Sequence, residues 1–292
     1  MKKLGIIDIG SNSVRMAWVD TEGTMQALPE ERLRYSRFAE NATATGMLGE
    51  EAVDRTVEAI QSLLAEAEEN GVKIGRISAT SALREAKNRE AVKARMEAAL
   101  GRSITILEGV REARYSYEGA VCGLEGDARV PMVLDVGGGS TELCWGVNEK
   151  DSCSVPVGAV RLKESAAQIG PLDAALAPLS ERAPKGEGVH LVGVGGTLTT
   201  MAAIFEGMSD YQAEKIHRHV YARSAIEALN ARLKQMSVAE RCALPGVTKG
   251  RADILCEGLD IALAVMQSVE ASSLTVSTTD LLCGQLAEMC HE

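Results

Sequence analysis

Short runs of apolar residues alternate with glycine-containing turns at two distant places in the chain. Residues 4–9 form an apolar run, which is followed by a turn and by a second apolar run at 14–19. Residues 130–136 and 143–147 repeat this arrangement around another turn. Runs of this length, bounded by glycine and serine, are typical of buried strands. The pattern therefore predicts two strand–turn–strand hairpins.

The two hairpins correspond position by position. Asp135 lies 127 residues after Asp8, and the same spacing relates Gly10 to Gly137, Ser13 to Ser140, and Arg15 to Glu142. This correspondence predicts an internal duplication, with an N-terminal domain at 1–124 and a C-terminal domain at 125–292. Because both domains open with the same hairpin, we expect an α/β fold in which the hairpins face each other across a cleft.

The remaining patterns complete both domains. Helices are predicted at 49–70, from 81, from 109, at 222–235, at 249–269 and at 281–289, and strands at 74–79, 103–107, 190–194 and 274–277. Residues 119–129 indicate the crossing between the domains. The Pro-, Ala- and Gly-rich residues 171–188 indicate a loose surface connection.

The glycine-rich turns favour phosphate binding. Glycines leave backbone N–H groups uncovered, and such groups form a concave anion site, especially before a helix. An ordinary hairpin or tight strand–helix packing would explain each turn alone, but three such turns in one chain favour phosphate. The predicted phosphate-binding residues are Gly10, Ser11, Asn12 and Ser13, then Gly137, Gly138, Gly139, Ser140 and Thr141, and finally Gly195 and Gly196.

Acidic side chains near the turns indicate metal and proton chemistry. Asp135 and Glu142 flank the second turn and carry oxygen ligands of the kind that Mg²⁺ prefers. Glu112, at the start of the helix after residue 109, is a candidate general base for a water molecule. The pattern alone does not separate it from Glu108 or Glu118, and such a carboxylate can simply oppose the helix dipole.

Two basic side chains are further candidates for contact with an anion. Arg84, in the helix that starts at 81, could clamp a phosphate with two N–H donors or lie on the solvated surface. Arg251, together with Asp253, could contact the substrate or join the domains, and joining is favoured.

Composition narrows the class of protein. The chain has 292 residues, a formal net charge of −10 and 46% hydrophobic residues, of which few are aromatic. This charge argues against a general nucleic-acid or membrane-surface protein, whose footprint would be basic. Seven scattered cysteines without metal spacing indicate reduced thiols. The N-terminus has no signal-peptide pattern, so we expect a cytoplasmic protein.

Six segments in order resemble the exopolyphosphatase/guanosine-pentaphosphatase family of the actin–hexokinase–Hsp70 superfamily. These segments are DIGSNS at 8–13, TSALREAKN at 80–88, EAR at 112–114, DVGGGSTE at 135–142, GVGGT at 193–197 and RAD at 251–253. The resemblance implies two ribonuclease-H-like domains around a cleft, dependence on Mg²⁺, and hydrolysis of terminal phosphoanhydrides. The implied substrates are inorganic polyphosphate and guanosine pentaphosphate.

The resemblance also implies roles for single residues. Glu112 would be the base that activates water, and Glu142 would act with Asp135 and Asp8 on Mg²⁺ and its waters. The turns would bind phosphates, with Arg84 as a further clamp. Polyphosphate hydrolysis is the preferred prediction. Guanosine pentaphosphate hydrolysis, a non-catalytic nucleotide or polyphosphate sensor, and a superfamily kinase remain alternatives.

The chain departs from the family pattern at three places. Arg111 precedes Glu112 where the family often has a second Glu, and this Arg would help to attract an anion. Residues 278–283 lack an Arg that the family often carries. No C-terminal HD-like domain follows the second domain, so we expect a preference for short or medium polyphosphate. A homodimer through the second domain is a further expectation.

Overall fold

Two β-sheets form the frame of the protein. The computed structural model describes residues 3–21, 28–122, 124 and 128–291. The first sheet contains β1 (Lys3–Ile9), β2 (Ser13–Asp20), β3 (Glu30–Tyr35), β4 (Val72–Ala79) and β5 (Thr105–Ile106), in the order β3-β2-β1-β4-β5. β1, β2 and β3 are antiparallel neighbours, whereas β4 and β5 continue parallel to β1.

The second sheet repeats this topology. It contains β6 (Val130–Val136), β7 (Thr141–Cys144), β8 (Ser152–Val155), β9 (Val189–Val194), β10 (Val220–Ala222) and β11 (Ser273–Val276), in the order β10-β11-β9-β6-β7-β8. Its first three strands are again antiparallel, β9 and β11 are again parallel to β6, and β10 is added at the edge. The predicted duplication is confirmed: two ribonuclease-H-like domains flank a cleft.

Twelve α-helices are present in the described part of the chain. They are α1 (Ala42–Thr45), α2 (Glu50–Glu69), α3 (Ser81–Glu85), α4 (Arg89–Leu100), α5 (Gly109–Val121), α6 (Ala159–Ile169), α7 (Leu172–Ser180), α8 (Gly196–Phe205), α9 (Arg223–Lys234), α10 (Val238–Cys242), α11 (Leu255–Ser268) and α12 (Leu281–His291). None of these helices has the length and apolarity that a membrane span requires.

Most predicted elements are confirmed, and three differ. The strand predicted at 103–107 shortens to β5, and the helix predicted at 249–269 begins only at Leu255. The loose connection predicted at 171–188 contains α7, because its alanines and leucines place Leu176 and Leu179 against the second core. Of the predicted crossing at 119–129, residues 123 and 125–127 lie outside the described residues.

Two helices each pack on the sheet formed by the other half of the chain. α5 comes from the first half of the chain, but its Ala113 and Tyr117 pack with Val192 of the second sheet. α12 ends the second half, but its Leu282 and Leu286 pack on the first sheet, against Ile6 and Ala17. Each sheet is therefore completed by a helix from the other half. The boundary at 124/125 stays a prediction.

The two crossing helices approach each other at glycines. A Cβ atom at Gly284 would lie 2.1 Å from the carbonyl oxygen of Tyr115, and one at Gly119 would lie 2.1 Å from the carbonyl oxygen of Asp280. Both neighbours are backbone atoms and cannot move independently of their helices. Only glycine fits at these two positions.

Replacing Gly284 with Ala is expected to destabilise the protein. The added methyl group must push α12 away from α5, and overpacking of this kind costs about 1–3 kcal/mol. The free energy of unfolding can be measured with urea. Gly188→Ala is the matched control, because a Cβ there would meet no atom within 4 Å. Equal stabilities of the two variants would contradict the close helix crossing.

Candidate active site

A cavity of about 360 Å³ lies between the two domains and brings both hairpins together. Its lining includes Glu112, from the first turn of α5. Twelve of the residues predicted from the sequence line it: Asp8, Gly10, Ser11, Asn12, Ser13, Glu112, Asp135, Gly137, Gly138, Ser140, Gly195 and Gly196. The cleft therefore collects parts of all three glycine-rich turns at one place.

The first two turns have the same local geometry and touch each other. The N–H of Gly10 donates to the carbonyl oxygen of Ser13 at 3.0 Å, and the N–H of Gly137 donates to that of Ser140 at 3.0 Å. A Cβ at Gly139 would lie 2.6 Å from the Ser11 hydroxyl oxygen, across the cleft. A larger residue at 139 would therefore hold the domains apart.

Asp8 and Asp135 occupy equivalent strand ends on opposite sides of the cleft. Ser78 donates to Asp8 Oδ1 at 3.1 Å, and Ser116 donates to Asp135 Oδ2 at 2.6 Å. Burial raises the pKa of Asp8 to about 6, although the Arg15 charge opposes the shift. Burial and the nearby Asp280 raise the pKa of Asp135 to about 6. Both carboxylates are thus destabilised as anions.

Glu112 forms an ion pair with Arg84, the arginine that was predicted to clamp a phosphate. Arg84 Nη1 donates to Glu112 Oε2 at 2.8 Å and to the carbonyl oxygen of Leu107 at 2.8 Å. Burial and the charge of Glu142 raise the pKa of Glu112 well above its ordinary value, although Arg84 lowers it. Arg84 is not among the residues that line the cavity. It holds the predicted base, and its predicted role as a phosphate clamp has no support in this contact.

Gly139, Thr141 and Glu142 are buried and do not line the cavity. Thr141 Oγ1 donates to the carbonyl oxygen of Val157 at 2.5 Å. Glu142 Oε1 accepts from Ser154 at 2.7 Å, whereas its Oε2 is buried without a hydrogen-bond partner. Burial and the charge of Asp135 raise the pKa of Glu142 to about 8.

The predicted three-carboxylate metal centre is not assembled in the structure. Among residues 3–21, 28–122, 124 and 128–291, no group of three or more His, Cys, Asp or Glu side chains could hold a metal ion. Glu142 is the member that does not line the cavity, and its Oε1 bonds to Ser154. The set of Asp8, Asp135 and Glu142 thus needs water or substrate oxygens to complete a coordination shell.

Comparison with known proteins decides the family. A profile of the Ppx/GppA phosphatase family matches residues 16–292. The chain belongs to this family. It is 30% identical to exopolyphosphatase 2 of Mycobacterium tuberculosis over 97% of both chains. The crystal structure of the Aquifex aeolicus Ppx/GppA member has a TM-score of 0.76 and 28% identity, and the alignment covers 99% of this chain and 98% of that one.

A second relative is named for hydrolysis of a guanosine nucleotide instead of polyphosphate. The chain is 27% identical to the guanosine-5'-triphosphate,3'-diphosphate pyrophosphatase of Photobacterium profundum. The match covers 97% of this chain but 58% of that protein, which is therefore much longer. The family resemblance inferred from the six motifs is confirmed.

Two site residues of this Ppx/GppA phosphatase form an ion pair that sequence reasoning missed. Arg15 Nη1 contacts Asp280 Oδ2 at 2.5 Å, and both residues line the cavity. The only signal was that Arg15 occupies the position of Glu142 in the duplication. Asp280 belongs to the turn that departs from the family pattern, and nothing in its sequence placed it near Asp8.

Arg251 lies in the cavity, while its neighbour Asp253 joins the domains. Asp253 accepts from Arg37 at 3.1 Å and from Lys163 at 2.6 Å, as the favoured prediction had it. Arg251 is buried, and its Nε has no hydrogen-bond partner. A Cβ at Gly196 would lie 2.0 Å from Arg251 Nη2, so this guanidinium covers the start of α8. Arg251 therefore places a buried guanidinium at the cavity, and both of its predicted roles stay predictions.

The fold also gathers aromatic side chains that are far apart in the sequence. Tyr35 from β3 and Tyr211 from the second domain line the same cavity, with Leu33 nearby. Tyr211 is 58% exposed and Tyr35 is 37% exposed, so part of each side chain is accessible from solvent. The cavity therefore has two aromatic side chains in its lining, although aromatic residues make up only 3% of the chain.

Proposed function

We propose that this chain is an exopolyphosphatase, which hydrolyses the terminal phosphoanhydride bond of inorganic polyphosphate and releases phosphate. One observation carries this proposal: Glu112 and the phosphate turns of both domains line a single cavity. Family membership supports the proposal, and so does the similarity to an exopolyphosphatase that aligns over 97% of both chains. The alternative of a superfamily kinase would require an acceptor in place of water, and no observation favours one.

Proton transfer is the task assigned to Glu112. Its Oε2 is engaged by Arg84, so Oε1 is the oxygen that accepts a proton from the attacking water. The water oxygen bonds to the terminal phosphorus, and the bridging P–O bond breaks toward the shortened chain. The raised pKa of Glu112 makes it a stronger base for this step. The N–H groups of Gly10 and Gly137 bond within their own turns, so the other N–H groups of the turns at 10–13 and 137–140 are assigned to the phosphate oxygens.

A divalent cation, which we take to be Mg²⁺, fits this cleft. The cavity lining carries five acidic side chains and three arginines, so a polyanion needs additional positive charge there. Two of the arginines already pair with acids, Arg15 with Asp280 and Arg32 with Glu66. Asp8 and Asp135 would hold the ion, with Glu142 acting from behind through its unpartnered Oε2. When bound, Mg²⁺ neutralises phosphate charge, and it commonly keeps water ligands.

Hydrolysis of guanosine pentaphosphate at its 5' end is the second candidate. The named Photobacterium relative supports it, and so does the pair of tyrosines at the cavity, because an aromatic ring can stack on a base. Tyr35 is held in place by a hydrogen bond of 2.6 Å between its hydroxyl and that of Thr248.

A reducing, cytoplasmic environment is part of the proposal. All seven cysteines are free, including the exposed Cys122 and Cys290. Free exposed thiols persist in compartments that keep thiols reduced.

Phosphate release separates the two candidates. We expect release from polyphosphates of short and medium length, dependence on Mg²⁺, and a smaller kcat/KM with guanosine pentaphosphate. The measurement compares both substrates at equal concentrations, with Mg²⁺ and with a chelator. Activity on the nucleotide alone would replace the proposal with the second candidate. Release from neither substrate, despite binding, would favour the sensor.

A further inference from the structure

One partly buried polar cluster lies outside the cavity and connects three elements. It consists of Arg76, Arg111, Tyr115 and Glu288, and we call it the Glu288 cluster. Glu288 Oε2 accepts from Arg76 Nη1 at 2.8 Å and from the Tyr115 hydroxyl at 2.6 Å, and Glu288 Oε1 accepts from Arg111. The Arg111 guanidinium also stacks 4.8 Å from the centre of the Tyr115 ring. The Glu288 carboxylate thus links α12 to both β4 and α5.

Arg111 and Tyr115 of the cluster lie on a face of α5 that adjoins the face of Glu112 and Ser116. Glu112 and Ser116 are four residues apart, and they line the cavity and bind Asp135, respectively. Arg111 and Tyr115 are also four residues apart, and both contact Glu288. Residues at this spacing lie on one face of a helix. A rotation of α5 that moved Arg111 and Tyr115 would therefore also move Glu112 and Ser116.

α12 also reaches the aspartate of the first domain. Gln285, less than one turn before Glu288, donates from Nε2 to the Ser78 hydroxyl oxygen at 3.2 Å. Ser78 in turn donates to Asp8. Ser78 and Arg76 are two residues apart on β4, so they lie on the same face of the strand. α12 therefore contacts Ser78, which binds Asp8, and it also contacts the helix α5, which carries Glu112.

This placement gives Arg111 a partner that the sequence did not indicate. Arg111 stands where the family often has an acid, and attraction of an anion was the expectation. Its guanidinium instead pairs with Glu288 of α12. For outer-shell residues that orient metal ligands, replacement commonly costs 10- to 100-fold in metal affinity or activity, and we take the same range for Glu288.

We propose that Glu288 is a positioning residue, which fixes α5 against β4 and so sets the distance between Glu112 and Asp8. This inference rests on the proposed function, because Glu112 is the base in that reaction. Glu288 touches no reacting atom and acts through Arg111, Tyr115 and Arg76.

Glu288→Gln tests the inference, since it keeps the shape of the side chain and removes its charge. We expect kcat for polyphosphate to fall about 10- to 100-fold with little change in KM, because the base is displaced while the phosphate turns remain. Glu118→Gln is the matched control. Glu118 accepts from Arg114 at 2.8 Å on the same helix, but this pair faces solvent. Its kcat should equal that of the wild type.

A double-mutant cycle with Arg111→Gln shows whether the effect passes through α5. If Glu288 acts by holding Arg111, the double variant should be little slower than Glu288→Gln alone. Additive losses, or a lower stability with an unchanged kcat, would overturn the inference while leaving the proposed function intact.

An independent readout covers the case in which the proposed function fails. Mg²⁺ binding, measured by calorimetry without substrate, should be several-fold weaker in Glu288→Gln and unchanged in Glu118→Gln, because the Asp8 support moves. If the wild type releases no phosphate, the proposed function fails, and this comparison still decides the inference. Equal Mg²⁺ affinities in the two variants would then overturn it.

Discussion

Glu112→Gln is expected to lower kcat for phosphate release by about 10²–10⁴-fold, which is the contribution of a positioned general base. The amide can still accept the hydrogen bond from Arg84, which is 2.8 Å long in the wild type, but it cannot take a proton from water. Steady-state phosphate release from polyphosphate measures the loss. KM should change little, because the phosphate turns at 10–13 and 137–140 are untouched.

Glu108→Gln is the control for this experiment, since the sequence left Glu108 and Glu112 as alternatives. Glu108 precedes the first turn of α5, is exposed and does not line the cavity. Its replacement should leave kcat within about twofold, as expected for an exposed surface position. An undiminished rate in Glu112→Gln would remove the general base from the proposal.

Asp135→Asn is expected to abolish phosphate release and, without divalent ions, to stabilise the fold at pH 8. Burial raises the pKa of Asp135 from 3.8 to about 6, so the folded protein binds this proton more tightly than the unfolded chain. The stability from this proton is therefore fully present below about pH 3.8 and is lost as pH rises through about 6. A neutral amide avoids that loss, which is worth up to ~3 kcal/mol.

Urea unfolding between pH 4 and pH 8 measures the effect. The stability difference between Asp135→Asn and the wild type should be small at pH 4 and largest at pH 8. Adding Mg²⁺ at pH 8 should stabilise the wild type more than the variant, because the ion offsets the charge of the carboxylates. Asp173→Asn, at an exposed position in α7, should show no such dependence. If Asp135→Asn were less stable than the wild type at pH 8, the destabilising effect of the buried Asp135 carboxylate would be contradicted.

The constant spacing between Asp8 and Asp135 was enough to predict both hairpins and their shared cleft. That spacing works because equivalent positions in duplicated hairpins keep their register, and Asp8 pairs with Arg15 as Asp135 pairs with Glu142. Local patterns also identified most helices, since their apolar faces repeat along the chain. These features depend on near neighbours in the sequence.

Contacts between distant segments could not be predicted in this way. Asp280 meets Arg15 only because α12 returns to the first sheet, and no periodic pattern encodes that return. Glu142 follows the glycine-rich turn, as the motif requires, yet the choice of Ser154 as its partner depends on the pairing of β7 with β8. For Arg84 the sequence left a phosphate clamp and a solvated surface position open, and only the packing of α5 presents Glu112 to its guanidinium.

The position of α12 on the first sheet also has a consequence during synthesis on the ribosome. Ile6 and Ala17 are fully buried in the finished protein, and Leu282 and Leu286 cover them. Until the last helix has emerged, this apolar surface of the nascent N-terminal domain stays open to water and to chaperones. Native folding of that domain is therefore expected to finish only after translation of the second domain, through contacts of very long sequence separation.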